Sequence, residues 1–360
     1  MWFPAIRSAL RAAWLMADHA GTSLHLGPIG GCPEPDRAAP LTWVIGSGGL
    51  LGSALVERLR QQGRALFAAA EPLAWDQPKR LETQLRRALT GMGDRLEPGQ
   101  PWEIHWAAGR ASMASAAGQL ESDRRGFHAL LDGLAEGGAL TGHPGILVLA
   151  SSAGGIYAGS PARLIDEDTP PQPNNPYGHW KLEQEGLTRQ LVAAGHADSA
   201  FIARISTLYG VGRPGVERTG LIRTIARQLL RRQPVHIFVP LDTMRDYIAV
   251  RDAATMVVAG ADQVWGHALA GEGRGCLTRL VASEQPTAIS ELLGIFHRLT
   301  RRRPLIVTSI SGPAHLYKRC VRFRSNALPE LRRLLTTPLP QGIAAVLQAE
   351  RQSMVGQAPR

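Results

Sequence analysis

The stretch Leu41-Thr42-Trp43-Val44-Ile45-Gly46-Ser47-Gly48-Gly49-Leu50-Leu51-Gly52 decides how this chain is to be read. It begins as a short apolar run of the kind that makes a buried parallel strand. It then breaks into glycines and resumes as Ser53-Ala54-Leu55-Val56-Glu57-Arg58-Leu59-Arg60, which has helical spacing. Strand, glycine turn and helix in that order form a phosphate-binding unit. The helix N-terminus offers unpaired N–H groups and a partial positive charge, and glycines let the backbone approach a pyrophosphate with no Cβ in the way. The spacing is Gly46, Gly49, Gly52, with Leu50 opening the helix. That is wider than the common G-x-G-x-x-G, and glycine is plentiful (39 of 360 residues), so the turn alone also fits an ordinary tight βα connection.

Outward from this turn the chain alternates strand and helix. Residues 64–70 read as a second strand, 81–89 as a helix, and 101–109 as a strand ending in the small pair Ala107-Ala108. A helix follows over 127–134, then a strand over 145–150 that runs into Ser151-Ser152, a helix over 177–194 and a strand over 200–205. This alternation predicts an α/β fold, a doubly wound parallel sheet of the Rossmann type, with the ligand at the carboxyl ends of the strands. The glycine turn, Ala107-Ala108 and Ser151-Ser152 all belong to that edge. An acid closing the second strand often holds a ribose; the candidate here is Glu71, and Pro72 behind it makes the match poor. Asp76 beside Trp75 could reach an adenine or cap a loop.

Beyond residue 210 the pattern loosens. Helices are expected over 221–231, 252–260, 289–299 and 344–351, and strands over 234–239 and 304–310. The expected organisation is a poorly ordered extension over 1–40, a dinucleotide-binding domain over 41–210, a smaller substrate lobe over 211–350, partly interleaved with the sheet, and a tail over 351–360. The extension has a short amphipathic stretch over 2–16. It has neither a long apolar core nor a small-residue cleavage site, which argues against a secretory signal.

No apolar run approaches the length of a bilayer span, so no membrane partner is expected. Cys32, Cys276 and Cys320 lie far apart, with no metal spacing and no disulfide framework; no metal and a reducing cytoplasm are expected. The net charge of +10 is almost all arginine, since lysine occurs only at Lys79, Lys181 and Lys318. Small clusters stand at Arg231-Arg232, Arg301-Arg302-Arg303 and between Arg319 and Arg324. Charge alone would allow nucleic-acid binding. No interleaving of aromatic and basic residues supports it, so the arginines read as solvated helix faces or a patch toward an anionic substrate.

The sharpest chemical pattern is Asn175-Pro176-Tyr177-Gly178-His179-Trp180-Lys181. Residues four apart share a helix face, so Tyr177 and Lys181 can address one point, behind a proline suited to a helix start. A free tyrosine, with a pKa near 10, is a poor base at neutral pH. An ammonium one turn away favours phenolate and makes the residue usable as a general acid/base on a carbinol or carbonyl. Asp166, Glu167 and Asp168 read as a solvated loop. His105, His179 and His236 have no ligand spacing and read as surface or core-edge groups.

Taken together these stretches resemble the extended short-chain dehydrogenase/reductases, the NAD-dependent epimerase/dehydratase family, over about 41–350. The resemblance rests on Gly46-x-x-Gly49-x-x-Gly52, on His105-Trp106-Ala107-Ala108, on Ser151-Ser152 through Tyr157, and on Asn175-Pro176-Tyr177-x-x-x-Lys181. It continues in Arg204-Ile205-Ser206-Thr207-Leu208-Tyr209-Gly210 and in Arg245-Asp246-Tyr247-Ile248-x-Val250-x-Asp252. It implies NAD or NADP held by Gly46, Gly49, Leu50, Gly52, Ala107 and Ala108. Tyr177 would be the general acid/base, and Lys181 would hold the nicotinamide ribose and lower the tyrosine pKa. A hydroxyl would polarise the substrate oxygen. Arg245 would meet a substrate phosphate, with Thr207 nearby and Asp252 structural at the next helix start.

The chain departs from the family pattern at several points. The position four before Tyr157 is Ala153, where many relatives have Ser or Thr; Ser152 is the best substitute and Ser151 the reserve. Thr207 replaces a common asparagine, and the acid after the second strand is displaced. The expected activity is hydride transfer on a nucleotide-diphosphate sugar. Alternatives are a reductase of a non-nucleotide carbonyl compound and a non-catalytic NAD(P)-binding scaffold, which Ala153 favours. The resemblance also implies a homodimer through helices near 113–134 and 177–194.

Overall fold

Leu41–Ile45 forms β1, every residue of it buried, and the chain turns at the glycines into helix α1 (Leu50–Gln61). There follow β2 (Leu66–Phe67), α2 (Pro78–Gly93), β3 (Trp102–Trp106), α3 (Glu121–Ala135) and β4 (Gly145–Ser152). The short α4 (Ala153–Ile156), α5 (Pro176–Ala193) and β5 (Ser199–Ile205) complete the first half. This computed structural model describes residues 39–109, 111–113, 115, 117–212, 220–269, 275–308 and 318–355. The stretch over 2–16 and the extension over 1–38 lie outside those residues.

The second half comprises β6 (Thr207–Tyr209), α6 (Leu221–Arg231), β7 (Val235–Ile237), β8 (Met244–Ala249), α7 (Val250–Leu269) and β9 (Gly275–Val281). After these come β10 (Pro286–Ala288), α8 (Ile289–Thr300), β11 (Ile306–Thr308) and α9 (Leu339–Val355). The main sheet has six parallel strands in the order β2-β1-β3-β4-β5-β9. Chain direction across the sheet reverses between β1 and β3, so the topological switch point lies there, as doubly wound sheets require for a ligand crevice.

Alternation along the strands divides the core. Trp43, Ile45, Ile104, Trp106, Leu147 and Leu149 face α2, α3 and α5. Val44, Ile146, Val148, Phe201 and Ala203 face α1 and α7. The second face also carries charge: Glu103 and His105, two apart on β3, are both buried and pair with each other, while Thr42 donates to Glu103 and Arg64 lies 3.7 Å from it. His105 is therefore an interior group, not the surface or core-edge residue its spacing suggested.

The sequence-based expectations shift in several places. The second strand shrinks from 64–70 to the two residues Leu66–Phe67 that pair with β1, and the Arg64 side chain before it forms ion pairs with Glu103 and Asp262. The helix expected over 252–260 runs the length of Val250–Leu269, and a sixth strand, β9, follows it into the main sheet. The remaining lobe is small: a β10-β8-β6 sheet and a parallel β11-β7 pair, with α6, α8 and α9 packed around them. The last helix extends to Val355, so part of the expected tail is helical. The acidic loop is not free in solvent. Glu167 accepts from the backbone N–H of Leu280 and Asn326 and from the Ser325 hydroxyl, tying the loop to β9 and to the segment after residue 318.

Gly260 shows how closely α7 packs on this sheet. A Cβ there would stand 2.4 Å from the ring of Phe201, which is fully buried and has no room to swing. Alanine should gain up to about 1 kcal/mol in helix propensity, but overpacking costs about 1–3 kcal/mol. Gly260→Ala is expected to lower the urea midpoint of unfolding; a raised midpoint would show that α7 rides higher over β5.

Candidate functional site

Three constraints build the site, each on a glycine or a buried charge. The first is the turn after β1. Gly46 has φ +90°, and a Cβ on it would lie 2.7 Å from the Ala108 nitrogen and 2.8 Å from the Ala107 carbonyl. A Cβ on Gly52 would lie 2.1 Å from the Gly46 oxygen. The turn is therefore pressed between the end of β3 and the first turn of α1, backbone against backbone. Gly49 is the N-cap of α1 and donates to Gly46 O at 2.9 Å, with no side-chain cap and no acidic residue in the first turn. The first N–H groups of α1 are left for an anion, at the positive end of the helix. Leu50, Gly49 and Ala107 are half-buried beside them, and Ala108 is buried.

The second constraint is the meeting of α4 and α5. A Cβ on Gly178 would lie 2.2 Å from the Gly155 carbonyl oxygen, and one on Gly155 would lie 3.0 Å from the Tyr177 ring. The two glycines let the Ser152 end of β4 and the Tyr177 end of α5 touch. Asn175 caps α5, its side-chain oxygen accepting from Gly178 N at 2.9 Å, and Pro176 fills the first position. Tyr177 and Lys181 then share a face, with the Lys181 Nζ 5.9 Å from the centre of the tyrosine ring. Lys181 is buried and donates to the carbonyl of Ala150 at 3.0 Å.

The third constraint was not legible as a motif. Glu185, the next residue on the Tyr177/Lys181 face, is fully buried. It accepts from Arg204 Nε at 2.9 Å and Nη2 at 2.7 Å, and from Ser151 Oγ at 2.7 Å. Arg204 lies opposite Ser151 in the β4–β5 register and also donates to the Tyr157 hydroxyl. Burial opposes the charge on Glu185, but the paired guanidinium outweighs it and holds the carboxyl below its ordinary range. One carboxylate thus pins α5 to the ends of two strands. The signal available in the sequence was the four-residue repeat Tyr177, Lys181, Glu185, Arg189.

The two serines part company here. Ser151 spends its only proton on Glu185. Ser152 caps α4, accepting from Gly155 N at 3.2 Å, so its O–H remains free to donate. Ala153, between them and Tyr157, is buried and offers no hydroxyl.

Thr207–Tyr209 of β6, Leu50, Gly220 and Leu221 at the start of α6, and Tyr247 on β8 line one cleft beside the glycine turn. The Tyr247 hydroxyl is buried with no partner among the described residues, and burial pushes its pKa up to about 12. Arg245 shares its face of β8 but donates to the carbonyls of Met244 and Lys318. Asp246, on the other face, accepts from Ser206, from Ser283 and from the Gln285 N–H. Asp252 accepts from Thr336 and Thr337 ahead of α9, a structural role. Glu71 is exposed and pairs with Arg80 at 2.7 Å. No group of three metal-binding side chains occurs among the described residues, and no helix among them is long and apolar enough to cross a membrane.

Residues 42–267 match the model of the NAD dependent epimerase/dehydratase family. A 120-residue stretch is 38% identical to the UDP-glucose 4-epimerase of Azospirillum brasilense; it covers 30% of this chain and about a third (34%) of that enzyme. Among solved structures, MoeE5 in complex with UDP-glucose and NAD superposes with a TM-score of 0.68 at 23% identity, over 87% of this chain and 99% of that one. The UDP-glucose-4-epimerase of Stenotrophomonas maltophila, with bound NAD and formylated UDP-arabinopyranose, gives 0.68 at 18% identity over 88% and 99%. At these identities the superpositions speak for the fold.

Removing the Glu185 charge would strand Arg204 in the interior, a loss of about 3–5 kcal/mol. Because the folded pKa of Glu185 lies below an unfolded value near 4.3, its stabilisation is complete above that value. It disappears as pH falls through the folded value. Glu185→Gln should therefore be less stable at pH 7 and have a shallower acid limb in a plot of unfolding free energy against pH. Parallel curves for the two proteins would refute the pairing.

Proposed function

Since the chain belongs to the NAD-dependent epimerase/dehydratase family, we propose that it interconverts or oxidises a nucleotide-diphosphate sugar by reversible hydride transfer, with Tyr177 as general acid/base. The observation that carries the reading is the convergence of the glycine turn, the free end of β4 and the Tyr177/Lys181 face at the switch-point edge of one sheet. The turn suits a dinucleotide pyrophosphate: Gly46 and Gly52 pack backbone to backbone, which brings the N-terminus of α1, without a side-chain cap, to the ends of β1 and β3. When bound, the nicotinamide supplies a hydride acceptor or donor.

The residues of this chain then do the rest. Gly46, Gly49, Leu50 and Gly52 hold the pyrophosphate, and Ala107 and Ala108 leave room for the flat groups beside it. Lys181, buried and close to the phenol ring, favours phenolate and would hold the nicotinamide ribose. Tyr177 takes the proton from the sugar hydroxyl as the hydride leaves the carbon, and returns it when the hydride comes back. Ser152 donates its free O–H to the same oxygen. Ser151 belongs to the helix anchor instead. The cleft at Thr207, Tyr247 and the start of α6 suits the nucleotide end of the substrate: α6 has no side-chain cap, and the Tyr247 hydroxyl has no partner among the described residues. Arg245 would have to leave its two carbonyls to reach a phosphate there.

A non-catalytic NAD(P)-binding scaffold is the second reading, and Ala153 is the observation behind it: one hydroxyl donor fewer stands near Tyr177. The nucleotide-sugar relatives favour the first.

Incubation with UDP-sugars and NAD, followed by mass spectrometry and NMR, tests the reading directly. Tyr177→Phe is expected to lower turnover by about 10²–10⁴-fold while leaving NAD affinity within a factor of about two, since it removes one proton-transfer group and no phosphate contact. Ser152→Ala should reduce kcat more than Ser151→Ala does in the folded fraction; the reverse order would move the hydroxyl role to Ser151. Failure to bind either NAD or NADP would overturn the reading as a whole.

A further inference from the structure

The arginine clusters at 231–232 and 301–303, far apart in sequence, are neighbours in space. Each directly precedes one strand of the β7–β11 pair, in which Val235 lies opposite Ile306 and donates to Leu305 O at 2.7 Å. Helices α6 and α8 thus end side by side, each closing on an arginine in the left-handed conformation, Arg232 and Arg301. Arg298 adds to the group from the last turn of α8, and Arg351 from α9, which is held along α6 by Glu350 with Arg223 and Arg227. Leu229, Leu230, Thr300, Arg302 and Arg351 line a cleft of about 290 Å³.

Arg231, Arg232, Arg298, Arg301, Arg302, Arg303 and Arg351 are all exposed. Among the described residues none of the seven has an ion pair, and Glu350, the carboxylate next to Arg351 in the chain, is already taken by Arg223 and Arg227. Helix dipoles do not explain the excess. Two helix C-termini supply about −0.5 each, so about six positive charges remain uncompensated. Such a concentration costs stability through self-repulsion. Of the two expectations from sequence, solvated helix faces would scatter these charges, whereas a patch toward an anion gathers them, here with Arg302 and Arg351 lining the cleft.

We propose that this corner is a second binding site, for ligands carrying clustered phosphate groups. Guanidinium forks match phosphate oxygens in pairs, which an ammonium does not. The site is separate from the glycine turn. The N-terminus of α6 lines the substrate cleft and its C-terminus lines this one, about 16 Å away for eleven residues. Two sources share the chemistry: a soluble oligophosphate, and the phosphodiester headgroups of an anionic bilayer. Leu305, 58% exposed beside the arginines, and Leu299 would serve the second.

The test uses the full chain with two probes, tripolyphosphate in calorimetry and sedimentation with vesicles of phosphatidylserine and phosphatidylcholine against phosphatidylcholine alone. The proposal expects at least one probe to bind, with affinity falling at least tenfold in Arg302→Gln/Arg351→Gln and unchanged in Arg87→Gln, an exposed arginine elsewhere. Binding of tripolyphosphate alone assigns the site to soluble oligophosphates, of the vesicles alone to headgroups, and of both to the shared group. If neither probe binds, or if the double variant binds as the parent does, the proposal is overturned; the second result would place the phosphate at another site such as α1. Both variants alter exposed side chains, so thermal unfolding should match the parent and exclude misfolding as a cause.

Discussion

Gly46 and Gly52 meet backbone to backbone, with nothing between them to relax. The carbonyl of the one occupies the space where the other would carry a side chain. That contact draws the first turn of α1 up against the end of β1, and Gly46 in turn leaves no room between itself and Ala107-Ala108 at the end of β3. The switch point of the sheet, the uncapped helix N-terminus and the small residues of β3 are therefore one assembly. A side chain at either glycine would separate them.

The same principle recurs at the Tyr177 end of α5, with charge added. Gly155 and Gly178 bring α4 onto α5, and the buried Glu185 carboxylate fixes the height of α5 against β4 and β5. A buried ion pair is weak evidence for stability, because desolvation offsets most of its attraction. It is a strong device for position, since Arg204 and Ser151 leave Glu185 one place to go. Lys181, one turn away, completes the alignment through the carbonyl of Ala150. Tyr177 owes its place to backbone contacts on one side and to a charge network on the other.

The lobe beyond residue 210 is less self-contained than its sequence suggests. Asp246 and Asp252 are buried acids that bind backbone and hydroxyl donors from distant segments. They knit β8 and α7 to the turn after β9 and to the approach to α9. The charge left over gathers at the far end of the lobe, where α6 and α8 stop.

The sequence by itself determined the parallel αβ alternation, the turn at Gly46–Gly52, and the pairing of Tyr177 with Lys181. All three are local: a strand period, a glycine spacing and a four-residue helical repeat are set by neighbours along the chain. Tertiary structure alone decided the sixth strand β9, whose Gly-Cys-Leu-Thr-Arg-Leu-Val carries a buried arginine and no clean pattern. It also decided the interior place of His105, which depends on Glu103 beside it and on Arg64 across the sheet. The division of labour between Ser151 and Ser152 likewise could not be read from adjacent serines. It depends on which hydroxyl faces Glu185, a residue thirty-four positions away. The gathering of the arginines follows from the pairing of β7 with β11, short strands whose partnership no local signal announces. Local spacing fixes what each segment is; which buried charge meets which, and where surplus charge collects, is settled only when distant segments pack.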